Sequence, residues 1–154
     1  MSIDPKDIST HQPTAISATV KFDLENLSLN DFLRKNEDNL IDQTLSEHLM
    51  MLLKQKGLKR SKVVVSSGLE KSYVFQIFKG QKNPSRDKLI AIAFGMQLNE
   101  EETQRLLKIA GHSELYPRIK RDAIILYAIQ RSINIWRTDR KLDEYNLPTL
   151  LPKD

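Results

Sequence analysis

The segment Arg60–Lys79, RSKVVVSSGLEKSYVFQIFK, constrains this chain more tightly than any other stretch. Two short helical patterns flank Ser66-Ser67-Gly68, and Gly80 stops the second. Val63, Val64, Leu69, Val74 and Ile77 are spaced so that each helix can bury one side against the other. Gly68 falls where a sharp turn between helices needs a residue tolerant of positive φ. The loop Gly80-Gln81-Lys82-Asn83-Pro84-Ser85 follows, ending in a helix N-cap signal. The β-preferring run Val63–Val65 lies inside this helical frame and is read as helix. The expected fold class is all-α.

Charge is concentrated on the same segment. The net charge is only +4. Residues 1–53 hold 4 Lys/Arg against 9 Asp/Glu, residues 54–88 hold 10 against 2, and residues 89–154 hold 10 against 9. A phosphate-facing surface has this distribution. A run of lysines is more commonly a solvated face, and its coincidence with the paired helices favours function here.

In chain order, residues 1–27 lack helical periodicity and are read as a flexible N-terminal arm, with an extended piece at 16–22. Ser28 caps a short helix to about Glu37 with Leu29, Phe32 and Leu33 on one face. Thr44-Leu45-Ser46-Glu47 is a capping box opening a helix that Gly57 ends. Ser85 caps a helix with Leu89, Ile92, Ala93 and Met96 as its apolar stripe. Asn99 and the carboxylates Glu100, Glu101 and Glu102 start another, the negative charge favouring the positive end of the helix dipole. Pro117 suits the first turn of a helix over about 117–132, and a last short helix is expected over about 138–145. The expected organisation is an arm (1–27), a helix-turn-helix domain (28–111) and a C-terminal helical extension (112–154).

A helix enters the major groove of B-DNA with its outward side chains reaching base edges. With Val74 and Ile77 turned inward, Lys71, Ser72, Phe75 and Gln76 become the candidate base contacts. Lys donates to guanine O6 and N7, Gln pairs with adenine N6 and N7, and an aromatic ring can meet the thymine methyl. Arg60, Lys62, Lys79, Lys82, Asn83 and Ser85 are the candidate phosphate contacts.

The segment resembles the helix-turn-helix of phage repressors and the wider xenobiotic-response-element-type family of bacterial regulators. The resemblance puts Gly68 at the turn, Val74 and Ile77 at the buried pair, and Lys71, Ser72 and Gln76 at base-reading positions. Arg60 matches the position that touches phosphate or the outermost base. GQKNPSRDKLIAIA looks like the family's G-x-x-x-P-S loop and fourth helix, and the likeness spans about residues 44–97. It implies a lambda-repressor-like domain of five helices, here with extra C-terminal helices, that binds double-stranded DNA in transcriptional regulation. Val64 replaces the family's small residue, Ser67 an apolar one, and Phe78 a common Glu.

Operators of that family are commonly two-fold, so a homodimer is expected, with Ile125, Ile129, Ile133 and Trp136 either wrapping the core or meeting a second copy. The alternative is a protein-interaction module with a degenerate helix-turn-helix, antitoxin-like or regulatory. It would use the N-terminal arm, the C-terminal helices or the Tyr73/Phe75 surface. There is no cysteine, so disulfides and thiolate metal sites are excluded. His11, His48 and His112 show no ligand spacing. No phosphate loop or nucleophile elbow is present, so neither enzymatic activity, nor a metal, nor a cofactor is expected. With no signal peptide and no apolar run near the roughly 18 residues of a span, a cytoplasmic location without membrane contact is expected.

Overall fold

The structure, a computed structural model, describes residues 18–37, 40–41 and 43–153. All regular structure among the described residues is helical. The helices are α1 (Ala18–Asn26), α2 (Leu29–Lys35), α3 (Leu45–Lys56), α4 (Arg60–Ser67), α5 (Lys71–Phe78), α6 (Arg86–Gly95), α7 (Glu100–Ile109), α8 (Lys120–Gln130) and α9 (Ile135–Glu144).

The chain forms two compact units, Met1–Asp42 and Gln43–Asp154. In the first unit, α1 occupies part of the expected arm and of the expected extended piece. Its sequence, ATVKFDLEN, carries no apolar stripe, and it is held instead by a polar contact. Asp23, only 2% exposed, accepts from Lys35 Nζ of α2 at 2.9 Å. Ser28 caps α2 as expected, accepting from the Asp31 amide at 3.2 Å. Of the α2 face expected to be buried, Leu29 and Leu33 are exposed and Phe32 is half-buried. Most of the expected arm, residues 1–17, lies outside the described residues, as does His11.

The second unit is built around α6. A helix apolar on every side must be surrounded, and Leu89, Ile90, Ala91, Ile92 and Ala93 are all buried. The stripe expected on this helix widened to its whole circumference because α4, α7 and α9 all pack on it. Its tightest neighbour is α4: a Cβ placed on Gly95 would stand 2.8 Å from both the Val63 carbonyl oxygen and Ser67 Cβ. The close approach is thus made by a glycine on α6, and Val64 is half-buried. Ser67 is fully buried and satisfied, its hydroxyl donating to the Val64 carbonyl and accepting from the Leu69 amide, both at 3.2 Å.

Capping boxes start α3 and α7, Thr44 with Glu47 and Asn99 with Glu102. The helix expected from Pro117 begins three residues later, at Lys120, because residues 111–119 are held as a loop. Gln104 of α7 pairs with both the amide and the carbonyl of Leu115 at 2.7 Å. The last helix begins earlier than expected, at Ile135, with Asn134 capping the Arg137 amide at 2.9 Å.

The C-terminal residues belong to the core of this unit. Ile125, Ile135 and Leu142 are fully buried and Ile129 is 7% exposed. Of the two roles open to Ile125 and Ile129, wrapping the core is the one observed, and neither is left for a second copy. The terminal segment folds back: Asp139 accepts from the Leu150 and Leu151 amides at 2.7 and 3.0 Å. Leu151 and Trp136 come to rest against the turn between α4 and α5, where a Cβ on Gly68 would meet Leu151 Cδ1 at 2.6 Å.

Candidate nucleic-acid interface

Three side chains turn α5 into a supported ridge. Val74, Ile77 and Phe78 are 0–2% exposed and fix its inner side in the core. Phe78 fills core volume, which accounts for an apolar residue at that position. The far end of α5 is tied to α3: Ser46 Oγ donates to the Phe78 carbonyl at 2.6 Å. The near end is set by Gly68, whose φ of +73° makes the turn. With both ends and one side fixed, the opposite side of α5 presents a rigid set of groups.

That side carries the residues singled out from sequence. Lys71 and Ser72 are exposed, and Phe75 and Gln76 are half-buried. Arg60, at the start of α4, places its guanidinium carbon 4.9 Å from the centre of the Phe75 ring, and Lys71 Nζ lies 5.6 Å from the same centre. Phe75 thus joins the first residues of α4 and α5 into one cationic cluster through attraction of each charge to the ring. Its ring also packs on the core, so only part of it faces out. Ser72 donates its hydroxyl proton to Glu70 Oε1 at 2.9 Å, which leaves Ser72 an acceptor toward anything outside.

The remaining candidates lie at the other end of α5 or on α4. Lys79, Lys82, Asn83 and Ser85 are exposed, and Lys62 is exposed on α4. Ser85 Oγ accepts from the Lys88 amide as the cap of α6, so its own proton remains available to an external acceptor. The loop is anchored by Pro84, which is buried and whose carbonyl lies 2.9 Å from His112 Nε2. The eight residues of α5 rise about 12 Å, close to the width of the B-DNA major groove. Cations therefore stand at both ends of an element of groove length. Among the described residues, none of Arg60, Lys62, Lys71, Lys79 and Lys82 forms an ion pair within the chain.

One contributor escaped the sequence reading. Glu70 is the N-cap residue of α5 and puts a carboxylate beside the cationic cluster. Its position directly before Lys71 was the available signal. Tyr73, half-buried, has Lys88 Nζ 6.0 Å from its ring centre, and burial pushes its phenol pKa up. No cluster of three potential metal ligands occurs among the described residues, and none of their helices is long and apolar enough to cross a membrane. No protein-family profile, curated protein or solved structure matches the chain.

Proposed function

We propose that the chain is a sequence-specific binder of double-stranded DNA, with α5 lying in the major groove and α3–α7 arranged as in the phage-repressor-like regulators. The observation that carries this reading is a groove-length helix locked from behind by Val74, Ile77 and Phe78, with cations at both its ends that have no ion-pair partner among the described residues. Lys71 and Gln76 read base edges, with Phe75 and Ser72 beside them. Arg60, Lys62, Lys79 and Lys82, with the Asn83 and Ser85 polar groups, hold phosphates on either side. Transcriptional regulation is the natural use of such a binder, and two copies on a two-fold site would double the contact set.

The test is selection from a random duplex pool followed by titration at several salt concentrations. Enrichment of one motif, with affinity falling steeply as salt rises, supports the reading. Absence of duplex binding even at low salt overturns it. The half-buried ring of Phe75 on the outer side of α5 favours a second reading, a protein-docking face on a helix pair that does not read DNA. In that case Phe75→Ala abolishes partner binding while duplex binding is absent throughout.

A further inference from the structure

A second surface lies on the C-terminal helices, and no residue of α3, α4 or α5 lines it. Two adjoining depressions share Ile124, Tyr127 and Lys141 and so form one groove between α8 and α9. Its floor is apolar, made by Ile124, Ala128 and Ile133. Tyr127 on α8 and Tyr145, the residue that caps the end of α9, stand along it, 54% and 50% exposed.

The rim is cationic. Arg137, Arg140 and Lys141 line one stretch and Lys120 another. Arg131 lies with its guanidinium carbon 3.6 Å from the Tyr127 ring centre, and Lys120 Nζ lies 4.9 Å from that of Tyr145. Four cations thus line the groove, with Arg131 beside it, against a single lining carboxylate, Glu144, which pairs with Lys141 at 3.1 Å. Arg137 and Arg140 have no ion-pair partner among the described residues.

We infer that this groove docks an acidic, amphipathic helix of a partner protein. Its apolar face would lie on Ile124, Ala128 and Ile133, and its carboxylates would meet Arg137, Arg140 and Lys141. An apolar trough between two helices is the form that accepts a helix by its i, i+3, i+4 and i+7 side chains. The charge selects the partner's sign. A second copy set face to face would oppose cation to cation, a costly juxtaposition. Stacked bases fit less well, because Arg131 and Lys120 each already cover a tyrosine face that a base would need. This inference does not rest on DNA binding through α5.

The test uses the full chain and two fluorescein-labelled synthetic helical peptides with the same Leu/Phe face, one with Glu and one with Lys at every other position. The acidic peptide is expected to bind and the basic one not. Tyr127→Ala and the pair Arg137→Glu with Arg140→Glu are each expected to weaken binding about tenfold or more, whereas Lys71→Ala leaves it unchanged. All three groove residues are exposed, so the variants keep the core, and an unaltered thermal transition verifies that. Absence of acidic-peptide binding overturns the inference, as does equal binding of the basic peptide or indifference to the groove substitutions. A dimer in sedimentation that Arg137→Glu dissolves would assign the groove to a second copy. Oligo-dT binding lost with Tyr127→Ala would assign it to single-stranded nucleic acid. Either result overturns the proposal too.

Discussion

Arg86 and Asp122 form a two-pronged ion pair between the first turns of α6 and α8, with contacts of 3.2 and 2.9 Å. Their neighbours repeat it in reverse: Arg121 of α8 grips Asp87 of α6 at 2.8 and 3.0 Å. An Arg-Asp dipeptide in each helix thus pairs crosswise with the other. Each arginine also takes up carbonyls from a following loop, Arg86 those of Ser113 and Glu114, Arg121 those of Pro148 and Thr149. This lattice joins α8 and the chain end to the helix that follows the α5 loop. Asp122 is 3% exposed and also accepts from the Tyr116 amide. Asp122→Ala leaves a guanidinium and an amide without their acceptor and is expected to cost about 3 kcal/mol. The more open Asp87→Ala should cost about 1 kcal/mol or less. Urea midpoints measured at unchanged m-value check both.

Gly95 is where α4 and α6 come closest, and the nearest group is backbone. Gly95→Ala pushes a methyl against the Val63 carbonyl oxygen and Ser67 Cβ. The expected loss is about 1–3 kcal/mol. Adding Ser67→Gly recovers only part of it, because the carbonyl cannot be removed. Urea unfolding of the single and double variants measures the split.

What the sequence makes legible here is what is local. Thr44 with Glu47 and Asn99 with Glu102 satisfy amides within one turn, so four residues suffice to see each box. Val74 and Ile77 show the inner side of α5 by spacing alone, and Lys71 and Ser72 follow as its outer side. The crossed Arg–Asp pairs span 34 and 36 positions, and nothing in either dipeptide names its partner. Ile90 and Ala91 look like the outer face of α6 until α4, α7 and α9 are known to surround it. α1 gives no periodic signal because Asp23 and Lys35, polar residues 12 positions apart, supply its contact. The clustering of Arg60 and Lys71 on Phe75 likewise depends on how α4 and α5 cross.

On the proposed DNA reading, the cations divide by role. Lys71→Ala should cost about 1–3 kcal/mol on the selected motif and little on random duplex. Lys62→Ala and Lys82→Ala should weaken both alike and each lower the salt slope by about 1. Anisotropy titrations on matched and scrambled duplexes separate the two behaviours. Equal losses for Lys71→Ala on both duplexes would make it a phosphate contact.

His48 makes stability depend on pH. It is buried on α3 with Nδ1 3.2 Å from Gln43 Oε1, and desolvation, reinforced by the charge of Arg105, lowers its pKa. The unfolded chain then binds its proton first as pH falls below about 6.5. Stability is therefore full above that value and declines below it, levelling off once the folded-state pKa is passed. Glu47 adds a separate loss at lower pH, because the Thr44 amide and hydroxyl hold its carboxyl below the usual range. His48→Gln should flatten the decline between pH 7 and 5 (about the range of histidine titration) while leaving the acid limb. Urea midpoints across pH check this.

The chain has a single tryptophan, and Trp136 lies beside Gly68 where the returning C-terminus meets the turn before α5. Unlabelled protein therefore carries an optical probe whose emission colour senses both the seating of the last residues and the geometry of that bend.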